Sequence, residues 1–390
     1  MFELAERMSR LGTESAFQVL ARARALEAQG RDIIHLEIGE PDFATPDHII
    51  EAACRALHEG WTHYTPTQGI PELCNVIAQQ IGERRGQSVE PSQVVVTPGA
   101  KPIMFYVLLA LAQPGREVIY PDPGFPIYKS MIDFCGAKAV PLPLREELDF
   151  RFQLDDLRPL INDRTALIIL NSPHNPTGGI MEPSDLASIA DLCVRHNIPV
   201  LSDEVYEQIL YDGAFHSIAT YPGMSTKERT IILHGFSKTY AMTGWRLGYG
   251  VMPEWLAEHV KRLMVNSNSC TNAATQWAGV AALTGTQEPV AQMVEAFRKR
   301  RQVIVEGLNS IPGITCRMPR GAFYVFPNIT GTGLASQACE DLLLQKAGVA
   351  TLSGTSFGVT GEGYLRLSYA NSIENIEKAV ERIRTTLASV

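Results

Sequence analysis

The stretch from Ser237 to Gly250 reads Ser-Lys-Thr-Tyr-Ala-Met-Thr-Gly-Trp-Arg-Leu-Gly-Tyr-Gly, and the interpretation of the whole chain starts from it. An apolar, β-like run precedes it at Thr230–Leu233, and a second one overlaps its end at Arg246–Val251. Lys238 therefore follows a predicted strand, in a loop that is otherwise apolar. We expect such a lysine to be partly buried, which lowers its pKa and makes a neutral amine available.

The residues around Lys238 suit a phosphorylated aldehyde. A neutral amine forms a Schiff base with an aldehyde. The hydroxyl of Ser237 and the forked guanidinium of Arg246 are groups that bind phosphate. An aldehyde and a phosphate on one small molecule describe pyridoxal 5′-phosphate. The alternative from this stretch alone is an ordinary loop lysine with an arginine nearby by chance.

Ser237-Lys238 and Gly244-Trp245-Arg246-Leu247-Gly248-Tyr249 resemble the lysine region of class I aminotransferases, which are pyridoxal-phosphate-dependent enzymes of fold type I. The resemblance covers nearly the whole chain, and the bacterial aspartate aminotransferase branch is the most similar. It implies an α/β fold, with a mainly parallel seven-stranded sheet in a large domain and a smaller α+β domain. It also implies transfer of an amino group between an L-amino acid, aspartate or glutamate favoured, and a 2-oxo acid through a Lys238 Schiff base.

Composition excludes several classes of protein. The chain has 390 residues, of which 45% are hydrophobic and 19% charged, and a net charge of -8 argues against a general nucleic-acid-binding protein. The sequence has no apolar run of membrane-spanning length, and Met1–Arg10 lacks the apolar core of a signal peptide. Seven cysteines without a C-x-x-C pair indicate reduced thiols in a cytoplasmic protein. Nine histidines without ligand spacing predict no metal site.

Strands and helices alternate through the middle of the chain. Strands are predicted at Val94–Thr97, Glu117–Tyr120, Thr165–Leu170, Pro199–Leu201, Thr230–Leu233 and Arg246–Val251. Near-continuous apolar strands that alternate with helices indicate a mainly parallel sheet covered on both faces. Ligands of such sheets bind at the carboxyl ends of the strands.

The C-terminal part has a different pattern. After two helices between Trp255 and Gly285 and a long helix at Pro289–Asn309, strands and helices no longer alternate regularly. Strands are predicted at Ala322–Phe326, Val349–Leu352 and Tyr364–Tyr369, and helices at Ser336–Lys346 and from Ile373. We therefore expect a large cofactor-binding domain at 46–285 and a small domain formed by 1–45 and 286–390.

Two groups of residues after predicted strands are assigned to the cofactor. Gly99, Ala100 and Lys101 form a tight turn at a helix start, where free backbone N–H groups bind anions, although a plain turn is the alternative. Phe125 is either a core aromatic or a plate that stacks on a flat ring. The resemblance implies that the turn binds the cofactor phosphate and that Phe125 stacks on the cofactor ring.

The resemblance assigns catalytic roles to three residues, Lys238, Asp203 and Tyr206. It implies that Asp203 pairs with the ring nitrogen of the cofactor, while Asn175 and Tyr206 bind the ring oxygen. The Lys238 amine is then expected to move the substrate proton as base and acid in turn. Each residue also has a purely structural explanation, and only the common placement of these residues after strands favours a site.

Arg366 and Gly39 are assigned to the substrate. Arg366 lies in an apolar predicted strand, where a charge is costly unless it is paired. A salt bridge within the small domain is one explanation. The resemblance implies another, a bidentate clamp on the substrate α-carboxylate with Asn175 beside it. Gly39 permits close approach of the backbone to a ligand, or it only makes a turn.

The resemblance also implies a homodimer with shared sites, in which Tyr64 reaches the cofactor phosphate of the other subunit; a plain surface aromatic is the alternative. Lys101 is expected to face the distal carboxylate of aspartate or glutamate, unless it is a surface lysine. Ala16 and Phe17 are less polar than an acidic substrate requires, which keeps neutral or aromatic donors open. Two other hypotheses are a C–S lyase of the same fold and a non-catalytic sensor domain.

Overall fold

The structure is a computed structural model that describes residues 2–389. The strands are β1 (Ile34–His35), β2 (Val94–Thr97), β3 (Glu117–Asp122), β4 (Lys138–Pro143), β5 (Thr165–Asn171), β6 (Val200–Asp203), β7 (Thr230–Gly235), β8 (Gly248–Val251), β9 (Tyr324–Val325), β10 (Val349–Ala350), β11 (Leu352–Ser353) and β12 (Leu365–Ser368). The helices are α1 (Ser15–Glu27), α2 (Asp47–His58), α3 (Pro71–Arg85), α4 (Lys101–Leu111), α5 (Ile127–Phe134), α6 (Leu154–Leu157), α7 (Pro183–His196), α8 (Glu254–Val265), α9 (Ala273–Thr284), α10 (Glu288–Asn309), α11 (Ser336–Leu342) and α12 (Ile373–Leu387).

A seven-stranded sheet forms the centre of the molecule, in the order β2-β8-β7-β6-β5-β3-β4. β8 runs antiparallel to both of its neighbours, and the other neighbouring pairs are parallel. All seven residues of β5 are buried, as a strand covered on both faces requires. The predicted α/β class with a mainly parallel seven-stranded sheet is confirmed.

Alternate side chains of the strands enter different cores. Leu167 and Ile169 of β5 pack with α4, α5 and α8, whereas Ile168 and Leu170 pack with α7. This division follows from the two-residue period of a strand, which sends successive side chains to opposite faces. Helices therefore cover both faces of the sheet. Ligands of such sheets bind at the carboxyl ends of the strands.

The beginning and the end of the chain come together. β1 pairs in parallel with β10, so that Ile34 lies opposite Val349, and β11, β12 and β9 form a three-stranded antiparallel sheet. Of these strands, β1, β9, β10 and β12 share an apolar core with α10 and α12, and Leu352 of β11 belongs to a neighbouring core. The pairing agrees with a small domain completed by the N-terminal residues, but the division at 45/46 and 285/286 stays a prediction.

Some elements differ from the predicted ones. The strand expected to begin at Arg246 begins at Gly248, because Arg246 has a φ of 55° and cannot continue a strand. The helix predicted at Ser336–Lys346 is α-helical only to Leu342 and ends in a π-helical turn. Helices α3 and α5 and strand β4 lie where no element was predicted.

Among residues 2–389, no helix combines the length and the apolar character that crossing a bilayer requires. The cysteines of this part of the chain are all free thiols, and they range from exposed Cys54 to buried Cys193.

A buried ionic cluster joins α3 to the segment that follows β6. Arg85 donates to Glu204 Oε2 at 2.6 Å and also to Glu207, and the three side chains are 4%, 1% and 3% exposed. Ser202 and Ser217 donate to the other oxygen of Glu204, at 2.8 and 2.5 Å. Glu204 directly follows Asp203, so this cluster fixes the backbone at the end of β6.

Replacing Arg85 by Ala leaves the buried carboxylate of Glu204 without its cation and leaves Glu207 paired with Arg84. We expect the Arg85→Ala variant to lose about 3–5 kcal/mol of unfolding free energy, as measured by urea denaturation. Arg195→Ala is the matched control, because Arg195 pairs with Asp191 on an exposed helix face and its loss should cost less than about 1 kcal/mol. Equal losses in the two variants would show that the cluster does not fix this edge.

Candidate active site

A cavity of about 580 Å³ lies at the carboxyl ends of β5, β6 and β7. Its size is in the range of small-molecule sites. Most residues that the sequence assigned to cofactor or substrate line this single cavity: Gly39, Ala100, Lys101, Phe125, Asn175, Asp203, Tyr206, Ser237, Lys238, Arg246 and Arg366. Gly99 lies directly behind the cavity wall, and Tyr64 does not line the cavity.

Lys238 is half-buried at the centre of the cavity wall. Burial, aided by the positive charge of Arg366, lowers the pKa of its amine to about 8. The amine donates to the backbone oxygen of Gly39 at 2.5 Å and lies 5.9 Å from the ring centre of Tyr206. Gly39 thus closes over the lysine, and its closeness to the cavity agrees with the functional assignment rather than with a turn alone.

The turn at Gly99 and Ala100 is packed against strand β8. Gly99 has a φ of 88°, and a side chain there would meet the Arg246 guanidinium at 2.2 Å. A side chain on Gly248 would meet the backbone nitrogen of Ala100 at 2.4 Å. The two glycines therefore let the start of α4 and Arg246 come close together, with Ser237 lining the same cavity. A helix N-terminus and a guanidinium are both groups that bind anions.

Asp203 ends β6 and lies against the buried ring of Tyr128. The Tyr128 hydroxyl donates to Asp203 Oδ2 at 2.5 Å. Burial raises the pKa of the Asp203 carboxyl to about 6, although the Tyr128 hydrogen bond and nearby His234 act in the opposite direction. A carboxylate held in this state has a strong preference for a cationic partner.

Tyr206 and Tyr324 are linked on the opposite wall. Their hydroxyls are 2.8 Å apart, and both rings are buried. Tyr324 belongs to β9 of the small antiparallel sheet, and a side chain on Gly39 would meet its hydroxyl at 2.2 Å. The contact therefore connects the central sheet with the C-terminal part at the cavity.

Arg366 enters the cavity from β12. It donates to Asn175 Oδ1 at 3.2 Å and to the backbone oxygen of Glu37, and it lies 4.5 Å from the ring centre of Tyr324. Within residues 2–389, no carboxylate is within ion-pair distance of the guanidinium, and its buried Nε has no hydrogen-bond partner. Burial lowers the pKa of Arg366. The alternative of a salt-bridged structural arginine is not what the structure shows.

Lys101 is exposed at the mouth of the cavity and has a carboxylate partner within the chain. Its amine forms an ion pair with Glu14, the residue directly before α1, and lies 5.4 Å from the ring centre of Phe125. Glu14, Ala16 and Phe17 also line the cavity. The N-terminal segment thus closes one side of the site with one acidic and two apolar side chains.

Tyr64 is 90% exposed in this single chain. Its phenol therefore contributes nothing to the cavity of its own chain, and a role in cofactor binding requires a second subunit. The structure of one chain leaves the sharing of sites as a prediction.

Several lining residues were not identified from the sequence. Asn171 accepts from the backbone N–H of Asn175 at 2.9 Å and so shapes the loop after β5. As the first polar residue after the predicted strand Thr165–Leu170, it carried a usable signal. Tyr128 lies about one helical turn after Phe125 in the sequence, and this spacing could also have indicated that Tyr128 lines the site. The contacts of Glu14 and Tyr324 had no signal, because their partners are distant in sequence.

Comparison with known proteins places the chain in a family. The model of the family described as aminotransferase class I and II matches residues 31–383. The aspartate aminotransferase of Musicola paradisiaca is 40% identical over 98% of this chain and 96% of the relative. The aromatic-amino-acid aminotransferase 2 of Thermococcus litoralis is also 40% identical, over 92% of this chain and 93% of that enzyme.

Solved structures agree in fold. The aspartate aminotransferase from Thermus thermophilus with maleate has a TM-score of 0.95 and 36% identity, and the match covers 99% of this chain and 100% of that chain. The alanine aminotransferase from Pyrococcus furiosus has a TM-score of 0.94 and 34% identity over the full length of both chains. This protein is an enzyme of the class I and II aminotransferase family.

Proposed function

We propose that this aminotransferase uses pyridoxal 5′-phosphate to exchange an amino group between aspartate or glutamate and a 2-oxo acid. The observation that carries the proposal is that a lysine of lowered pKa, Lys238, and an arginine with no carboxylate partner among residues 2–389, Arg366, open into one cavity. The Lys238 amine can form a Schiff base with an aldehyde, and the Arg366 guanidinium can bind the α-carboxylate that every amino-acid substrate has.

The residues present fit the cofactor. Because Gly99 and Gly248 have no side chains, the backbone N–H groups at the start of α4 and the Arg246 guanidinium stay available for a phosphate. Phe125 borders the cavity as an aromatic plate, and Asp203 offers a buried carboxylate that forms no ion pair with the described residues. When bound, the cofactor supplies an aldehyde for the amino group and a ring that accepts electrons.

The buried carboxylate of Asp203 has a defined task in this proposal. A cation beside it favours its ionised form, so it stabilises a proton on a ring nitrogen. Asn175 and Tyr206, on the other side of the cavity, would hydrogen-bond an oxygen of the same ring. Both side chains are buried, and Tyr324 and Arg366 hold their polar atoms in place.

Lys238 is suited to move a proton at its Nζ atom. With a pKa of about 8, its amine has equal amounts of the charged and neutral forms at a mildly alkaline pH near 8. An acid–base group works best when its pKa lies near the working pH. Because the pKa is lowered, the neutral, proton-accepting fraction grows as the pH rises toward 8 and is lost below it.

The ion pair between Lys101 and Glu14 bears on the choice of substrate. The distal carboxylate of aspartate or glutamate can pair with Lys101 only when it replaces Glu14, whereas a neutral donor leaves the pair intact. The apolar surface of Phe17, which is 61% exposed beside the cavity, favours a neutral or aromatic donor as a second substrate class.

We also propose a homodimer in a cytoplasmic setting, with the large domain at 46–285 and the small domain at 1–45 and 286–390. The homodimer is supported by the exposure of Tyr64. The resemblance assigns this residue to the cofactor phosphate, yet it does not line the cavity of its own chain. Residues from two subunits then complete each site.

The first prediction concerns the covalent bond of the cofactor. Borohydride reduction of the purified protein, followed by digestion, should place a pyridoxyl mass on the peptide that contains Lys238, because that amine faces the cavity with a lowered pKa. The Lys238→Ala protein treated in the same way should carry no such mass. A label on any other lysine in mass spectrometry would contradict the assignment.

The second prediction concerns Lys101. For Lys101→Ala we expect kcat/KM for aspartate to decrease by a factor that corresponds to a loss of about 1.5–3 kcal/mol in transition-state stabilisation. The decrease for a neutral donor should be much smaller. Glu14→Gln removes the competing carboxylate and should raise kcat/KM for aspartate. Lys378→Ala, which breaks an exposed pair with Asp32, is the control. Equal losses for both donors would end the acidic-substrate proposal.

The third prediction concerns Tyr64. Tyr64→Phe chains are mixed with Lys238→Ala chains, unfolded and reassembled together. If sites are shared, each hybrid dimer has one intact site, and the mixture should recover about a quarter of wild-type activity. If each chain completes its own site, mixing should give no gain over the separate variants. Analytical ultracentrifugation of the wild type must also show a dimer.

A further inference from the structure

We propose that Tyr128 is a positioning residue that orients the Asp203 carboxylate, stabilises its negative charge and holds Phe125 beside it. The proposal rests on the proposed function, because it gives Asp203 and Phe125 their places against the cofactor ring. Tyr128 lies in the first turn of α5 and is fully buried. It lines the cavity together with Phe125 and Asp203.

The hydrogen bond to Asp203 selects one carboxylate oxygen. The Tyr128 hydroxyl donates to Oδ2 at 2.5 Å, a short distance typical of a phenol bound to a carboxylate. The other oxygen, Oδ1, receives only the backbone N–H of Val205 at 3.4 Å, which is a long contact. Oδ1 therefore keeps acceptor capacity for a group in the cavity, and Tyr128 fixes its direction.

The same hydrogen bond opposes the effect of burial. Burial raises the pKa of Asp203 to about 6, and neighbouring Glu204 acts in the same direction, whereas Tyr128, the Val205 N–H and His234 lower it. Burial and the Asp203 charge raise the pKa of Tyr128 well above its ordinary value, so its hydroxyl stays a donor at physiological pH. Burial and the hydrogen-bonded hydroxyl of Tyr324 raise the pKa of Tyr206 in the same way, so Tyr206 also stays protonated.

The ring of Tyr128 has a second contact in the cavity wall. It meets Phe125 edge to face, with centroids 5.6 Å apart and planes at 81°. This geometry is favourable for an aromatic pair and limits rotation of the Phe125 plate. One side chain thus couples the position of the stacking ring to the position of the charged group.

The test uses Tyr128→Phe, which keeps the ring and removes only the hydroxyl. Apoenzyme is titrated with pyridoxamine 5′-phosphate, which cannot bond to Lys238, and the dissociation constant is measured from pH 5 to 9. Affinity should fall as the pH decreases through the pKa of Asp203. For Tyr128→Phe this midpoint should rise by about 1–2 pH units, because a hydrogen bond to a charged group is lost.

Two comparisons make the result specific. Asp203→Asn should remove this pH dependence, and adding Tyr128→Phe to it should then change nothing further. Tyr106→Phe is the matched control, because its buried hydroxyl donates to Asn268 at 2.8 Å outside the cavity, and it should leave the midpoint unchanged. The phosphate of the probe titrates equally in all variants, so only differences between variants are compared.

The outcomes separate the two proposals. Wild-type protein that does not bind pyridoxamine 5′-phosphate would overturn the proposed function, and this inference with it. Wild-type binding together with an unchanged midpoint in Tyr128→Phe would overturn the inference alone and leave Tyr128 a packing residue. An equal shift in Tyr106→Phe would have the same meaning, since loss of any buried hydroxyl would then produce it.

Discussion

Desolvation is the effect on which the rest of the site depends. It acts on three ionisable side chains in the cavity at the carboxyl ends of the central strands, namely Lys238, Asp203 and Arg366. Burial moves the pKa of Lys238 down to about 8, that of Asp203 up to about 6, and that of Arg366 down. In each case burial disfavours the charged form, and within residues 2–389 none of the three groups forms an ion pair with a side chain of opposite charge. A ligand with a cationic ring and anionic groups would complement all three, and this electrostatic deficit is the physical content of the site.

Such a deficit costs stability, so the surrounding structure must be rigid. The Arg85 cluster pairs the buried carboxylates of Glu204 and Glu207 with a cation and fixes the end of β6. Across the cavity, Gly248 lets β8 touch the turn at Gly99 without room for a side chain. Glu204 and Glu207 are therefore paired, whereas Lys238, Asp203 and Arg366 in the cavity form no ion pair within residues 2–389.

Aromatic side chains convert this rigidity into orientation. Tyr128 holds Asp203 by its hydroxyl and Phe125 by its ring, while Tyr324 holds Tyr206 and stacks on Arg366. Each tyrosine thus connects two site residues that come from different elements. At the cavity mouth the control is ionic instead, because Lys101 and Glu14 neutralise each other across the N-terminal segment.

The sequence by itself determined the fold class, the strand ends that form the site, and the lysine, because apolar periodicity and local turn chemistry are short-range properties. It therefore placed Asp203, Asn175 and Lys238 on one edge, and the cavity contains them all. Only the tertiary structure decided the partners of these residues. The pairing of Lys101 with Glu14 and the contact of Tyr206 with Tyr324 join segments far apart in the chain, and no local pattern encodes such contacts. Burial, and with it every shifted pKa, exists only after the chain has packed.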